Sequence, residues 1–250
     1  MTHDDTWIRR LRPAPEAPVQ LVCLPHAGGS AAFYHPVAKA LAPDVDVLAV
    51  QYPGRQDRHR EPGLTSLTEL ADRVADALSP WAERPLVLFG HSMGALLGYE
   101  VATRLEAAGT APLALFASAR RAPSTHREES VHLRTDEGVV DELRLLGGVE
   151  PVFLEDPELR SLILPAVRSD YEAIETYRHT ARPPLGIPVT VLTGDGDPQV
   201  TAEEAAAWSA HTTGPFALRT FEGGHFYLTD HFSEVLSLLR TVLDPSPSLR

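Results

Sequence analysis

The stretch Leu86–Ala102, "LVLFGHSMGALLGYEVA", runs from a short apolar segment through Gly90-His91-Ser92-Met93-Gly94 into small and apolar residues at helical spacing. G-x-S-x-G fixes only three positions in five, so the pattern alone is a weak signal. Its setting is stronger. Leu86–Phe89 reads as a central strand and 95–106 as a helix, the strand–turn–helix context of a nucleophile elbow. The glycines at 90 and 94 have a steric reason, because a serine on a sharp turn forces the flanking backbones together and leaves no room for side chains. Such a turn lifts the hydroxyl to the carboxyl edge of the sheet. A plain tight corner between two glycines is the competing reading, and the rest of the chain decides between them.

On either side of that turn, short apolar β-branched runs alternate with helical periods, the pattern of a mostly parallel sheet wrapped by helices. Strands are predicted over 18–24, 45–51, 85–90, 112–118, 187–194 and 216–221, and helices over 33–42, 67–79, 94–108, 201–210 and 230–243. Near-continuous apolarity suits strands buried on both faces. The alternation breaks between Arg120 and Pro184. Two helical patterns stand there instead: 136–146, ended by Gly147-Gly148, and 157–178, which Pro165 is expected to kink. The expected architecture is one α/β domain over 1–250 with a helical lid inserted over 120–184. That insertion either simply covers the sheet or supplies an apolar chamber beside the strand ends.

A chain of 250 residues can bury one sizeable core. Its 22 Lys and Arg against 34 Asp and Glu give a formal charge of −12, which opposes general affinity for nucleic acid or an anionic membrane. The single cysteine, Cys23, excludes an intramolecular disulfide and reads as a buried packing residue rather than a nucleophile. No apolar run approaches the roughly 18 residues of a membrane span, and "MTHDDTWIRRLRPAPEAP" has no export h-region. A cytoplasmic protein is the expectation.

A serine hydroxyl is a poor nucleophile without a base in hydrogen-bond reach, itself oriented by a carboxylate. In α/β-hydrolases the chain order is nucleophile, acid, histidine, and two later segments supply partners in that order. "VTVLTGDGDPQV" ends a strand and delivers Asp195 and Asp197, while "LRTFEGGHFYL" ends another and delivers His225 after two glycines. Among eleven histidines only His225 has this placement. His91 points away from its neighbour on a sharp turn and is read as packing or elbow support. The aspartates do not form a calcium loop, because Val200 and Ala206 stand where such a loop needs Gly and Glu. Gly-Asp-Gly-Asp-Pro is also rich turn chemistry, a role that suits Asp195 and leaves Asp197 as the acid. The oxyanion needs donors: the Met93 N–H, directly after the nucleophile, and the Ala27 N–H in the early loop "CLPHAGGSAAF". His26 is read as shaping that loop, since no second ligand stands at metal-binding spacing.

The segments "LVCLPHAGGSAAFY", "VQYPGRQDRHREP", "LFGHSMGALLGYEVATRL", "LILPAVRSDYEAIETY", "TGDGDP" and "GGHFYL" together resemble the type II thioesterases that accompany modular polyketide synthases and nonribosomal peptide synthetases. The resemblance runs from about Trp7 to about Leu239 and implies an α/β-hydrolase fold. It matches Ser92 to the nucleophile, His225 to the base, Asp197 rather than Asp195 to the acid, and Ala27 and Met93 to the oxyanion amides. Two departures, Gly98 and Ala119 where similar proteins often carry Ala and Gly, bear on local packing. The implied activity is hydrolysis of acyl thioesters on the phosphopantetheine arm of acyl or peptidyl carrier proteins, in most such enzymes to remove aberrant acyl groups. No metal or bound cofactor is implied, phosphopantetheine enters with the partner, and a monomer is expected. Arg120, Arg121 and Arg127 are candidates for a basic docking patch, although ordinary solvated arginines would look the same. Arg55 either lines the entry or pairs with Asp57. A general serine esterase or acyl-CoA thioesterase would carry the same triad, and a hydrolase-fold protein that binds without turnover is the remaining alternative.

Overall fold

β1 (Ile8–Arg10), β2 (Val19–Leu24), β3 (Val45–Val50), β4 (Leu86–His91), β5 (Ala114–Ser118), β6 (Val189–Gly194) and β7 (Phe216–Phe221) form one sheet in the order β1-β3-β2-β4-β5-β6-β7 in the computed structural model, which describes residues 6–149 and 151–244. All neighbours pair in parallel except β1, which lies antiparallel on the edge of β3. The six predicted strands are present with ends shifted by one or two residues. β1 was not predicted, because three residues reading Ile-Arg-Arg carry no period.

β2, β3 and β4 have every residue buried. Alternate side chains enter two separate apolar layers: Val22, Leu24 and Leu88 on one face, Leu21, Cys23 and Phe89 on the other. The first layer is closed by α2 (Leu67–Leu78) and α3 (Met93–Ala107), the second by α1 (His35–Leu41) and by α9 (Phe232–Leu243), a later helix. Cys23 is fully buried, and burial alone pushes its thiol far above the ordinary range, consistent with packing rather than reactivity.

The predicted helix over 33–42 begins later, since a 3₁₀ turn over Ala31–Tyr34 precedes α1 and Pro36 occupies its first turn. Among the described residues, 120–184 contain no strand. They hold α4 (Asp136–Leu146), α5 (Pro151–Glu155) and α6 (Pro157–Thr176), with Val140, Leu143, Leu154, Leu164 and Val167 in an apolar cluster of their own. α6 contains Pro165 within one continuous helix. Asp156 starts it by accepting the amides of Glu158 and Leu159. After β6, α7 (Ala202–Ala206) is started by a Thr201/Glu204 capping box and tightens into a 3₁₀ turn over Ala207–His211, so the predicted 201–210 helix is two pieces. A short α8 (Tyr227–Asp230) follows β7 and precedes α9.

Strand order reverses where β2 sits beside β4, with Leu24 opposite Gly90. In open α/β sheets the crevice beyond the carboxyl ends of such strands is where ligands bind. The loop after β2 and the turn after β4 therefore meet at one place.

Candidate active site

Ser92 occupies that turn with φ 56° and ψ −118°, left-handed backbone that a non-glycine residue adopts at a cost of about 1–3 kcal/mol. The turn is held from both sides. The Ser92 amide donates to the Ser118 carbonyl on β5 at 2.8 Å. A methyl group on Gly90 would lie 2.0 Å from the Gly94 carbonyl oxygen, and one on Gly94 would lie 2.0 Å from that of Leu24, so both positions must be bare.

His225 and Asp197 come together as the sequence order required. His225 Nδ1 lies 2.9 Å from Asp197 Oδ2, with both side chains almost wholly buried. The other carboxylate oxygen of Asp197 accepts the Gln199 amide at 2.8 Å, which fixes the group from its far side. Asp195 is exposed and elsewhere engaged: it accepts the Gly223 amide at 2.9 Å and braces the loop that delivers His225. Ser92 and His225 line one cleft, together with His26, Ala27 and Phe226. No Ser92–His225 hydrogen bond is formed among the described residues.

The amides of Ala27 and Met93 make no hydrogen bond among the described residues. Met93 heads α3, where first-turn amides have no helical acceptor and carry the positive end of the helix dipole. Its side chain is buried in the core and does not line the cleft, whereas Ala27 does. The neighbouring amide, Gly28, is already spent: it donates to Asp170 Oδ2 on α6 at 2.7 Å. Asp170 is in turn clamped by Arg55, whose Nη1 also donates to the Gly29 carbonyl at 3.0 Å. Arg55 thus pairs with Asp170 and not with Asp57, which pairs with Arg9. Gly28, at φ 75°, lies so close to α6 that a Cβ would stand 2.6 Å from Val167 Cγ2. From the other side, the Tyr34 and Tyr52 hydroxyls donate to the carbonyls of Leu24 and Pro25 at 2.9 and 3.1 Å.

Asp170 was not identified from sequence. Its signal is a carboxylate on the apolar stripe of α6, one turn after Val167 and one before Ala173 and Ile174.

Below the cleft lies an aromatic layer. The His26 ring meets Phe33 and Phe226 edge-on at 4.9 and 4.8 Å, and His91 packs 5.2 Å from His225. His91 Nδ1 bonds the Ser118 hydroxyl at 2.9 Å, and that hydroxyl bonds the Tyr227 hydroxyl at 2.7 Å, so His91 supports the elbow. Burial, with the neighbouring His225, depresses both imidazoles: His26 to about 3, His91 well below its ordinary value. Both stay neutral beside His225.

Of the arginines considered for a docking patch, Arg120 and Arg121 are buried, Arg121 pairs with Glu129, and the half-buried Arg127 pairs with Glu204. Among the described residues no group of three or more His, Cys, Asp or Glu is placed to hold a metal ion, and no helix is long and apolar enough to cross a membrane.

A family model described as the thioesterase domain matches residues 19–243. The thioesterase PikA5 of Streptomyces venezuelae is 50% identical, over 92% of this chain and 82% of its own length. The type II thioesterase BorB from the borrelidin biosynthetic cluster superimposes with a TM-score of 0.91 at 55% identity, covering 97% of this chain and 100% of BorB. RedJ, the thioesterase from the prodiginine biosynthetic pathway of Streptomyces coelicolor, gives a TM-score of 0.85 at 37% identity over 92% of this chain and 88% of that one. With an α/β-hydrolase sheet and matches of this extent, the chain belongs to the thioesterase family, in its type II group.

Proposed function

We propose that the protein hydrolyses acyl groups from the phosphopantetheine arm of acyl or peptidyl carrier proteins, with Ser92 as nucleophile, His225 as base and Asp197 as the group that holds the imidazole. Its role in that setting is removal of aberrant acyl groups from polyketide or nonribosomal peptide assembly. The hydrogen bond between His225 and Asp197 beside a cleft that contains Ser92 is the observation that carries this reading. The type II designation of BorB and the biosynthetic setting of RedJ support the substrate class.

Because Asp197 engages His225 Nδ1, Nε2 is the nitrogen left to work on Ser92. Ser92 Oγ adds to the thioester carbonyl carbon as His225 takes the hydroxyl proton. The Ala27 and Met93 amides meet the oxyanion. The tetrahedral species then breaks its carbon–sulfur bond, and the imidazolium gives its proton to the departing pantetheine thiolate. Water, deprotonated by the same imidazole, attacks the acyl-Ser92 ester. The carbon–Oγ bond breaks, Ser92 regains a proton, and a carboxylic acid leaves.

Residues 120–184 serve as the lid of one domain. Leu143, Leu146, Gly147 and Val149 narrow the space over Ser92 to about 20 Å³, room for on the order of one water. Admission of an acyl-pantetheine therefore requires this strip to swing outward. Comparing kcat/KM for one acyl group on a carrier protein, on coenzyme A and as a simple ester tests the assignment. The carrier-borne group should be preferred, and equal values would make the protein a general esterase or acyl-CoA hydrolase.

A further inference from the structure

At the end of β5 the chain passes through Ala119, at φ 52°, directly into the two arginines that the fold buries. Arg121 has its charge paired by Glu129 and donates Nη1 to the Gln199 carbonyl, although its Nε is buried without an acceptor. Arg120 is 6% exposed, and its guanidinium forms no hydrogen bond or ion pair among the described residues; its Nε is buried without an acceptor. A buried donor left unpaired is costly, and a lone buried charge more so. Such a cost is sustained where a ligand completes the pairing.

Arg120 lines a cavity of about 200 Å³ between residues 120–129 and the end of α6. Its charged lining does not balance. Glu129 is taken by Arg121, and Glu175 accepts the amides of Val131 and His132 together with His132 Nδ1. Arg120 and the exposed Arg178, which donates only to the Glu175 and Tyr177 carbonyls, are left without a carboxylate. One wall of the cavity stands on α3, the helix that Ser92 caps. Leu96 lines it one helical turn past Ser92, about 6 Å along the axis at 1.5 Å per residue. Tyr171, in the wall of the Ser92 cleft, is close enough to Arg120 to interact with its charge.

We propose that Arg120 forms an anion subsite for a carboxylate at the far end of the acyl group, so that the enzyme accepts dicarboxylic acyl thioesters. This rests on Ser92 being the point of acyl cleavage. A guanidinium fork matches two carboxylate oxygens in one plane. A phosphate offers similar oxygens, but in a pantetheine arm it sits at the opposite end from the thioester, away from a pocket one turn beyond Ser92.

The test compares glutaryl and valeryl N-acetylcysteamine thioesters, equal in carbon number, with the wild type, Arg120→Met and Arg120→Lys. In Arg120→Met the glutaryl-to-valeryl ratio of kcat/KM should fall about 10- to 100-fold, as expected for losing a charge-assisted pair, and Arg120→Lys should recover part of it. The Met variant should melt at or above the wild-type temperature, since a lone buried charge has been removed. An unchanged ratio overturns the proposal, and with a lowered melting temperature it makes Arg120 a packing residue. Calorimetric titration of the resting protein with glutarate and with inorganic phosphate decides the ligand independently of turnover. Glutarate should bind the wild type and not the Met variant. Phosphate binding as tightly or more tightly would instead assign the pocket to a phosphate. Hydrolysis of neither thioester would contradict the Ser92 reading, while the titration would still decide the role of Arg120.

Discussion

Arg55 and Asp170 form a buried bidentate ion pair, 2.6 Å from Nη1 to Oδ2 and 2.8 Å from Nη2 to Oδ1, that ties the loop after β3 to helix α6. The same two side chains hold the Gly28 amide and the Gly29 carbonyl, one residue from the Ala27 amide assigned to the oxyanion. The pair therefore connects α6 to the loop whose Ala27 amide is proposed to meet the oxyanion.

Breaking one member leaves an uncompensated buried charge, so Arg55→Ala and Asp170→Ala should each cost about 3–5 kcal/mol of stability. Replacing both, as Arg55→Met with Asp170→Leu, should restore most of that stability but not kcat, because the loop has lost its anchor. Urea unfolding and steady-state kinetics on the three variants check this. A double variant with full kcat would reduce the pair to a packing feature.

The two aspartates should separate cleanly. Asp197→Asn should lower kcat about 10³- to 10⁴-fold, since the imidazole loses the partner that sets its tautomer. Asp195→Asn keeps an oxygen for the Gly223 amide and should stay within a few-fold of wild type. Steady-state kinetics on the two single variants would expose a reversed assignment at once.

Ala119 sits fully buried at φ 52°, where an L-residue other than glycine is strained by roughly 1–2 kcal/mol. Ala119→Gly should raise stability by up to about 1 kcal/mol after the added freedom of the unfolded chain is subtracted. A shift of the urea midpoint to lower concentration would count against strain at this position.

Stability should fall on acidification for an identifiable reason. His26 has its pKa lowered from 6.5 to about 3, chiefly by burial and further by its neighbours His225 and Arg55. Between those values the unfolded chain holds a proton that the folded chain does not. The contribution of His26 is thus intact above about pH 6.5 and lost as the pH drops towards 3, with a slope of up to about 1.4 kcal/mol per pH unit. His91 acts in the same direction. His26→Phe, which keeps a ring against Phe33 and Phe226, should flatten the decline. Melting temperatures measured from pH 7 to 4 test this, and an equal decline in both proteins would remove His26 as a cause.

The elbow and the Asp197–His225 arrangement could be read in advance because each sits where a strand ends, and strand ends on one sheet edge meet whatever lies between them in sequence. The Arg55–Asp170 pair could not, since its members are 115 positions apart and neither belongs to the strand pattern. A local partner, Asp57, was available to Arg55 on paper, yet the fold gives Asp57 to Arg9. Arg120 and Arg121 read as surface residues because a charge ordinarily seeks water. The left-handed residue before them and the end of α6, which lines one cavity with them, reverse that expectation, and both depend on packing that no short window encodes.

Ser92 is proposed to carry the acyl group between the two halves of the reaction. Rapid mixing of protein with an acyl thioester, acid quenching and peptide mass analysis measure it directly. An acyl adduct on Ser92 should form and decay at rates compatible with turnover and be absent from Ser92→Ala, which should also lose hydrolysis. Turnover undiminished in Ser92→Ala, or an adduct on any other residue that keeps pace with hydrolysis, would contradict it.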